Sequence, residues 1–81
     1  MKIKVRLTGI MSSQFGWSEK EIVVEQGSTI TELKKSIEDD SDAVRFESFH
    51  ANAAVNQEVA KDQTTLNDGD EVVFLPPLAG G

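Results

Sequence analysis

Apolar and charged residues alternate strictly at the start of the chain, which is the pattern of a β-strand with one buried face. The apolar positions are Ile3, Val5 and Leu7, and the charged positions are Lys2, Lys4 and Arg6. A second β-rich stretch covers residues 20–25, where Ile22 and Val24 share one face. We expect these two strands to pair in the antiparallel sense.

The segment between these strands, residues 9–19, has no hydrophobic period and contains several serines and glycines. Such a composition favours a connecting loop. Three large apolar side chains interrupt it, namely Met11, Phe15 and Trp17. They either fold back over a small core, which we favour, or form an exposed contact patch.

A helix is predicted after the second strand, because Thr29 and Glu32 have the spacing of a capping box. Apolar residues recur at helical spacing at Ile30, Leu33 and Ile37. Residues 38–42 then bring a run of negative charge, which opposes the helix dipole, so we expect the helix to end near Ile37 or Glu38. The acidic run lacks the ligand spacing of a calcium-binding loop, and no metal site is predicted.

The middle of the chain carries weaker signals. Residues 43–49 fit neither period well and are predicted to form a short irregular turn. Asn56 tolerates left-handed backbone angles and lies between two short β-rich segments, residues 51–55 and 57–60, which predicts a tight turn between two strands. His50 has no second histidine, serine or cysteine in evident reach, so we interpret it as structural rather than as a proton carrier.

The last strand is predicted at residues 71–75, after a polar crossing whose core anchor is Leu66. A turn at Asp68, Gly69 and Asp70 precedes it. The sequence from Glu71 to Leu75 is apolar on both faces, which suits a central position in a mixed sheet.

The six residues after this strand form a distinct segment. Pro76 and Pro77 fix φ and donate no backbone N–H, while Gly80 and Gly81 have no Cβ and can pass through a narrow slot. Six extended residues reach about 20 Å. The segment is either a frayed end or, because it leaves the most rigid strand, a handle that presents its carboxylate to another protein.

Composition limits the remaining functions. The 81 residues make one small domain, residues 1–75, with a flexible tail at residues 76–81. The net charge of −6 disfavours nucleic acid and anionic membranes as partners, and the absence of cysteine excludes disulfides and a thiol nucleophile. No stretch approaches a membrane span of about 18 apolar residues, so we expect a cytoplasmic protein. The sequence contains neither a phosphate-binding glycine loop nor a metal-ligand cluster, so we do not expect an enzyme that acts alone.

The order of these elements resembles the ubiquitin-like β-grasp fold, an α+β fold with a mixed sheet of about four to five strands packed on one main helix. Residues 54–59 and 66–81 strongly resemble the sulfur-carrying small subunits of molybdopterin synthase. The shared features are the Asp-Gly-Asp turn, the apolar strand, the paired prolines and the diglycine, which occur together and in register. Residues 10–18 carry no motif of that family.

The resemblance implies a role for each residue of the tail. An activating enzyme that uses ATP would adenylate the carboxylate of Gly81 and convert it to a thiocarboxylate, which then gives sulfur to a cyclic pterin precursor in molybdenum cofactor biosynthesis. The carrier would have no activity alone and no bound cofactor. The residues implied to contact the large catalytic subunit and the activating enzyme are Phe74, Leu75, Pro76, Pro77, Leu78, Ala79 and Gly80.

Two related functions remain open at this point. The sulfur carrier of thiamine biosynthesis resembles the chain in its fold and its diglycine, although Pro76 and Pro77 favour the molybdopterin branch. A ubiquitin-like modifier, joined to lysines through Gly81, would share the same activation chemistry. A plain interaction domain with an incidental diglycine is a third possibility.

Overall fold

A computed structural model describes residues 1–77 of the chain. The strands are β1 (Lys2–Leu7), β2 (Glu19–Val23), β3 (Asn52–Val55), β4 (Glu58–Ala60) and β5 (Glu71–Leu75). The α-helices are α1 (Ile10–Phe15) and α2 (Ile30–Asp39), and a 3₁₀ turn covers Phe46–Phe49.

The strands form a single mixed sheet in the order β2-β1-β5-β3-β4. β1 pairs antiparallel with β2 and parallel with β5, while β3 pairs antiparallel with β5 and with β4. The buried face predicted for β1 is confirmed, since Ile3, Val5 and Leu7 are buried on the face that α2 covers. The architecture confirms the predicted α+β β-grasp fold with α2 as its main helix.

Helix α2 has the predicted capping box. The Glu32 N–H donates to Thr29 Oγ1, and the Thr29 N–H donates to Glu32 Oε1 at 2.9 Å. The helix continues to Asp39, slightly beyond the predicted end. The negative charge of Glu38 near the helix C-terminus interacts unfavourably with the helix dipole. A hydrogen bond offsets this cost, because the Glu38 carboxylate accepts the Phe46 N–H at 2.7 Å and so ties the helix to the 3₁₀ turn.

The predicted loop at residues 9–19 is wrong in one respect, because it contains helix α1. Gly16 ends this helix at φ 89°, a left-handed angle that glycine adopts without steric cost, and its N–H donates to the Ser12 carbonyl. Met11 is fully buried, and Phe15 and Trp17 pack against the core. The expectation that these three side chains cover the core is therefore confirmed.

The β3–β4 hairpin closes with the tight turn that the sequence predicts at Asn56. Asn56 and Gln57 both have positive φ, 49° and 73°, between the paired residues Val55 and Glu58. Two consecutive residues with positive φ define a type I′ turn, whose favoured sequence is Asn-Gly. Gln57 therefore holds a strained conformation that glycine would adopt freely.

Replacing Gln57 by glycine is expected to raise the free energy of unfolding by about 1 kcal/mol, because the left-handed angle no longer costs steric energy. Urea unfolding measures the change. Gln63 is a matched control, since it also lies in a turn but is absent from the positive-φ residues. Gln63→Gly should lower stability slightly, and a stabilisation equal to that of Gln57→Gly would contradict the turn assignment.

Candidate functional site

The candidate site is the end of β5, where the chain leaves the sheet. β5 lies between β1 and β3, so the predicted central position is confirmed. The last paired residues are Phe74, opposite Leu7, and Leu75, opposite Asn52. Beyond this pairing Pro76 and Pro77 are exposed. The proline pair therefore begins directly at a strand that is hydrogen-bonded on both sides.

The start of β5 is fixed by a polar network around the buried carboxylate of Asp70. The Asp70 carboxylate accepts the Asn56 amide at 2.9 Å and the Asn67 N–H at 2.8 Å. The side-chain oxygen of Asn56 in turn accepts the Glu71 N–H at 3.0 Å. Because a carboxylate with two N–H donors is a strong hydrogen-bonding group, the network sets the position of β5 relative to the β3–β4 hairpin. The sequence predicted the turn at Asn56 and the turn at residues 68–70, but not the hydrogen bonds that join the two turns.

Phe74 does not lie where the family resemblance places it. Its side chain has no exposed area, and its ring centroid is 4.5 Å from that of Phe46. Phe15 also packs against Phe46, with 4.9 Å between the ring centroids. A fully buried ring cannot contact a partner, so the assignment of Phe74 to the partner surface is corrected. Phe74 instead anchors the strand that carries the tail.

The remaining predicted contact residues divide into two groups. Leu75, Pro76 and Pro77 are exposed at the end of β5 and are available to a partner. The predicted roles of Leu78, Ala79, Gly80 and Gly81 fall on positions outside the described residues 1–77.

The sheet has an apolar patch on the face that α2 does not cover. The register places Val73 beside Ala54, and Ala54 beside Val59, in one row across three strands. Leu75 follows Val73 on the same face. We call Ala54, Val59, Val73 and Leu75 the open-face patch. Val59 is 85% exposed and is the most exposed large apolar side chain among the described residues, whereas Ala54 is only 9% exposed. Together with Leu75, Val59 makes the patch a candidate contact surface.

Sequence reasoning missed most of this patch. Its signal lies in β5, whose apolar residues on both faces predict a strand that is covered from both sides. The structure covers only the face of Val72 and Phe74. The second apolar face of β5 therefore has no cover within the described part of the chain.

Charged residues border the patch on the side of β1 and β2. Arg6 pairs with Val73 in the sheet and forms an ion pair with Glu19 at 3.0 Å. Lys4 lies between Glu21 and Glu71 in the register. Alternating charges of this kind form a polar rim beside an apolar centre, which is the usual composition of a protein–protein interface.

The helix side of the fold has a groove of about 600 Å³ with a mixed lining. Lys34 and Asp62, both in its wall, pair at 2.8 Å, and His50 is exposed at its margin. His50 ends the 3₁₀ turn at φ 50°. Residues 1–77 contain no cluster of three metal-ligating side chains. Neither α-helix in that range has the length and apolar character needed to cross a bilayer.

Sequence comparisons relate the chain to one protein family and to two individual proteins. The ThiS family model matches residues 5–81. The molybdopterin synthase sulfur carrier subunit of Mycobacterium tuberculosis (strain ATCC 25618 / H37Rv) is 36% identical over 62 residues, which cover 76% of this chain and 75% of that protein. The subunit of the same name from Escherichia coli (strain K12) is 40% identical over 55 residues, covering 65% and 68% of the two chains.

Solved structures agree with the fold. SAMP1 from Haloferax volcanii superposes over the whole of both chains with a TM-score of 0.85, and at 20% identity it shows the fold alone. A molybdopterin converting factor subunit 1 from Pyrococcus furiosus has a TM-score of 0.79 at 26% identity, covering 96% and 99% of the two chains. A chain in the complex of subunits 1 and 2 of the Helicobacter pylori molybdopterin-converting factor has a TM-score of 0.66 at 25% identity, with both chains fully covered. The two sequence relatives are both molybdopterin synthase sulfur carrier subunits. Since the family match extends over residues 5–81, the chain belongs to the ThiS family.

Proposed function

We propose that this protein is the sulfur-carrier small subunit of molybdopterin synthase, with sulfur carried on the C-terminal carboxyl group of Gly81. The observation that carries the proposal is the combination of a central, core-anchored β5 with the exposed prolines that follow it. A rigid strand that ends in a proline pair is a suitable base for a segment that must enter another protein's active site. The identity with two sulfur carrier subunits supports the same assignment.

The chemistry follows from the weak reactivity of a carboxylate. Attack of a Gly81 carboxylate oxygen on the α-phosphorus of ATP gives an acyl-adenylate and releases pyrophosphate. A sulfur donor then displaces AMP, which leaves a thiocarboxylate. The thiocarboxylate sulfur attacks a carbon of the pterin precursor and displaces an oxygen leaving group from it. Water then cleaves the resulting acyl–sulfur bond, so that sulfur stays on the precursor and the Gly81 carboxylate is restored.

The residues that this chain contributes serve presentation rather than catalysis. The sequence has no cysteine, and a thiocarboxylate supplies a nucleophilic sulfur without one. The absence of a Cβ at Gly80 and Gly81 suits passage through a narrow channel. We therefore assign ATP binding and acid–base catalysis to the activating enzyme and the large subunit, and we place the reaction in the cytoplasm, where ATP is available.

The open-face patch and the exposed end of β5 form the proposed docking surface for the large catalytic subunit. Leu78, Ala79 and Gly80 would follow the exposed prolines into that partner. Leu75 of the patch is followed directly by Pro76, so one partner can cover the sheet face and receive the tail. The assembly of subunits 1 and 2 in the Helicobacter pylori complex supports such a pairing.

Sulfur loading is tested by the mass of the intact protein after incubation with a candidate activating enzyme, ATP and a sulfur donor. Replacement of one oxygen by sulfur should add about 16 Da. Deletion of Gly81 should abolish the shift while the thermal melting curve stays unchanged, because the residue follows the last strand by six positions in the sequence. An activating enzyme that loads a known carrier but leaves this protein unchanged would contradict the proposal.

A second stage separates the molybdopterin pathway from the thiamine pathway and from protein modification. Adding the large subunit and the cyclic pterin precursor should return the mass of the loaded carrier to that of the carboxylate. A thiocarboxylate that persists would assign the carrier to another sulfur acceptor. A product heavier by a second protein, joined at a lysine, would assign it to the modifiers.

A further inference from the structure

One hydrogen bond outside the sheet ladder holds the point where the tail begins. Thr8 follows β1 directly, and its Oγ1 donates to the carbonyl oxygen of Phe74 at 2.9 Å. The last residue pair in the β1–β5 ladder is Leu7 with Phe74. On the β1 side, the half-buried hydroxyl of Thr8 therefore holds the peptide plane between Phe74 and Leu75, one step before the prolines, while Leu75 pairs with Asn52 on the β3 side.

The residues that follow this peptide plane have little freedom to change direction. Leu75 and Pro76 each precede a proline, which restricts both to extended backbone angles. Pro76 and Pro77 also have fixed φ. The segment is consequently a short stiff rod whose direction is set at its root.

Small rotations at this root have large effects further along. The three residues Leu75 to Pro77, when extended, reach about 10 Å, so a rotation of about 10° at the root moves the end of Pro77 by about 2 Å. Displacements of about 1 Å at a reacting group can lower a rate by about a hundredfold. The orientation of the Phe74–Leu75 peptide plane therefore matters for any reaction at the end of the tail.

We propose that Thr8 is a positioning residue for the carrier reaction, which sets the direction of the tail through the Phe74 carbonyl. The inference rests on the proposed function, because it assumes that the Gly81 carboxyl group reacts in a partner's active site. Thr8 itself contacts neither the substrate nor the reacting atoms. Its role predicts an effect on the turnover rate rather than on the affinity of the carrier for the activating enzyme.

The test is the rate of sulfur loading by the activating enzyme with ATP and sulfide, followed by intact mass. Thr8→Val removes the hydroxyl and keeps the branched side chain, and we expect kcat to fall about tenfold while KM for the carrier changes less than about twofold. Thr8→Ser keeps the hydroxyl and should restore kcat. Thr31→Val is the matched control, because Thr31 Oγ1 also donates to a backbone carbonyl, that of Asp62 at 3.1 Å, but on α2.

Each outcome decides the inference. A wild-type kcat for Thr8→Val would overturn it, as would an equal loss of kcat in Thr31→Val or a rise in KM alone. If Thr8→Val melts below the assay temperature, Thr8→Ala is measured under the same expectation at a temperature where it is folded. Failure of the wild-type protein to accept sulfur would instead overturn the proposed function and is seen in the same assay.

Discussion

A single carboxylate at position 59 is expected to abolish binding to the large subunit while the carrier stays folded. Val59 is 85% exposed on β4, so Val59→Asp removes almost no buried apolar area within the domain. In the complex the same carboxylate would lie unpaired among the apolar side chains of the open-face patch. Such burial costs several kcal/mol, and we expect affinity to fall by at least about a hundredfold.

Isothermal titration calorimetry with the large subunit measures the loss, and a thermal melt confirms the fold. Val23→Asp is the matched control, because Val23 is also an exposed valine, 69% exposed, on the same face of the sheet. It lies opposite Lys2 on the edge strand β2, at the other side of the sheet from β4. It adds the same charge and should leave affinity nearly unchanged. Wild-type affinity for Val59→Asp would show that the open-face patch is not the docking surface, and equal losses in both variants would show a general charge effect.

The sequence predicts the elements whose signal is contained within a few neighbouring residues. The alternation in β1, the capping box at Thr29 and Glu32, and the turn at Asn56 each depend on local geometry, and all three agree with the structure. Helix α1 was missed because six residues are too few to show a helical period.

The parts that the sequence could not predict depend on sheet register. Val59 lies on a three-residue strand with no recognisable period, and only its pairing with Ala54 places it beside Val73. The assignment of both Phe74 and Leu75 to the partner surface has the same origin. Both are large apolar residues, and the sequence does not show which face of β5 meets α2.

The corrected place of Phe74 leads to the prediction with the largest effect on stability. Phe74→Ala is expected to lower the free energy of unfolding by about 3–5 kcal/mol, because it removes a fully buried ring and leaves a cavity beside Phe46. A domain of this size has a total stability of only about 4–12 kcal/mol at the usual value per residue. The variant should therefore be close to unfolded at moderate temperature, and urea unfolding followed by circular dichroism measures the change.

Leu75→Ala is the control, since Leu75 is 36% exposed and should lose about 1 kcal/mol or less. The two variants also separate the two roles at the end of β5. Phe74→Ala should lose sulfur loading together with the fold, whereas Leu75→Ala should bind the large subunit more weakly at nearly unchanged stability. A Phe74→Ala variant that unfolds at the wild-type urea concentration would contradict its place in the core and would return Phe74 to the partner surface that the family resemblance implies.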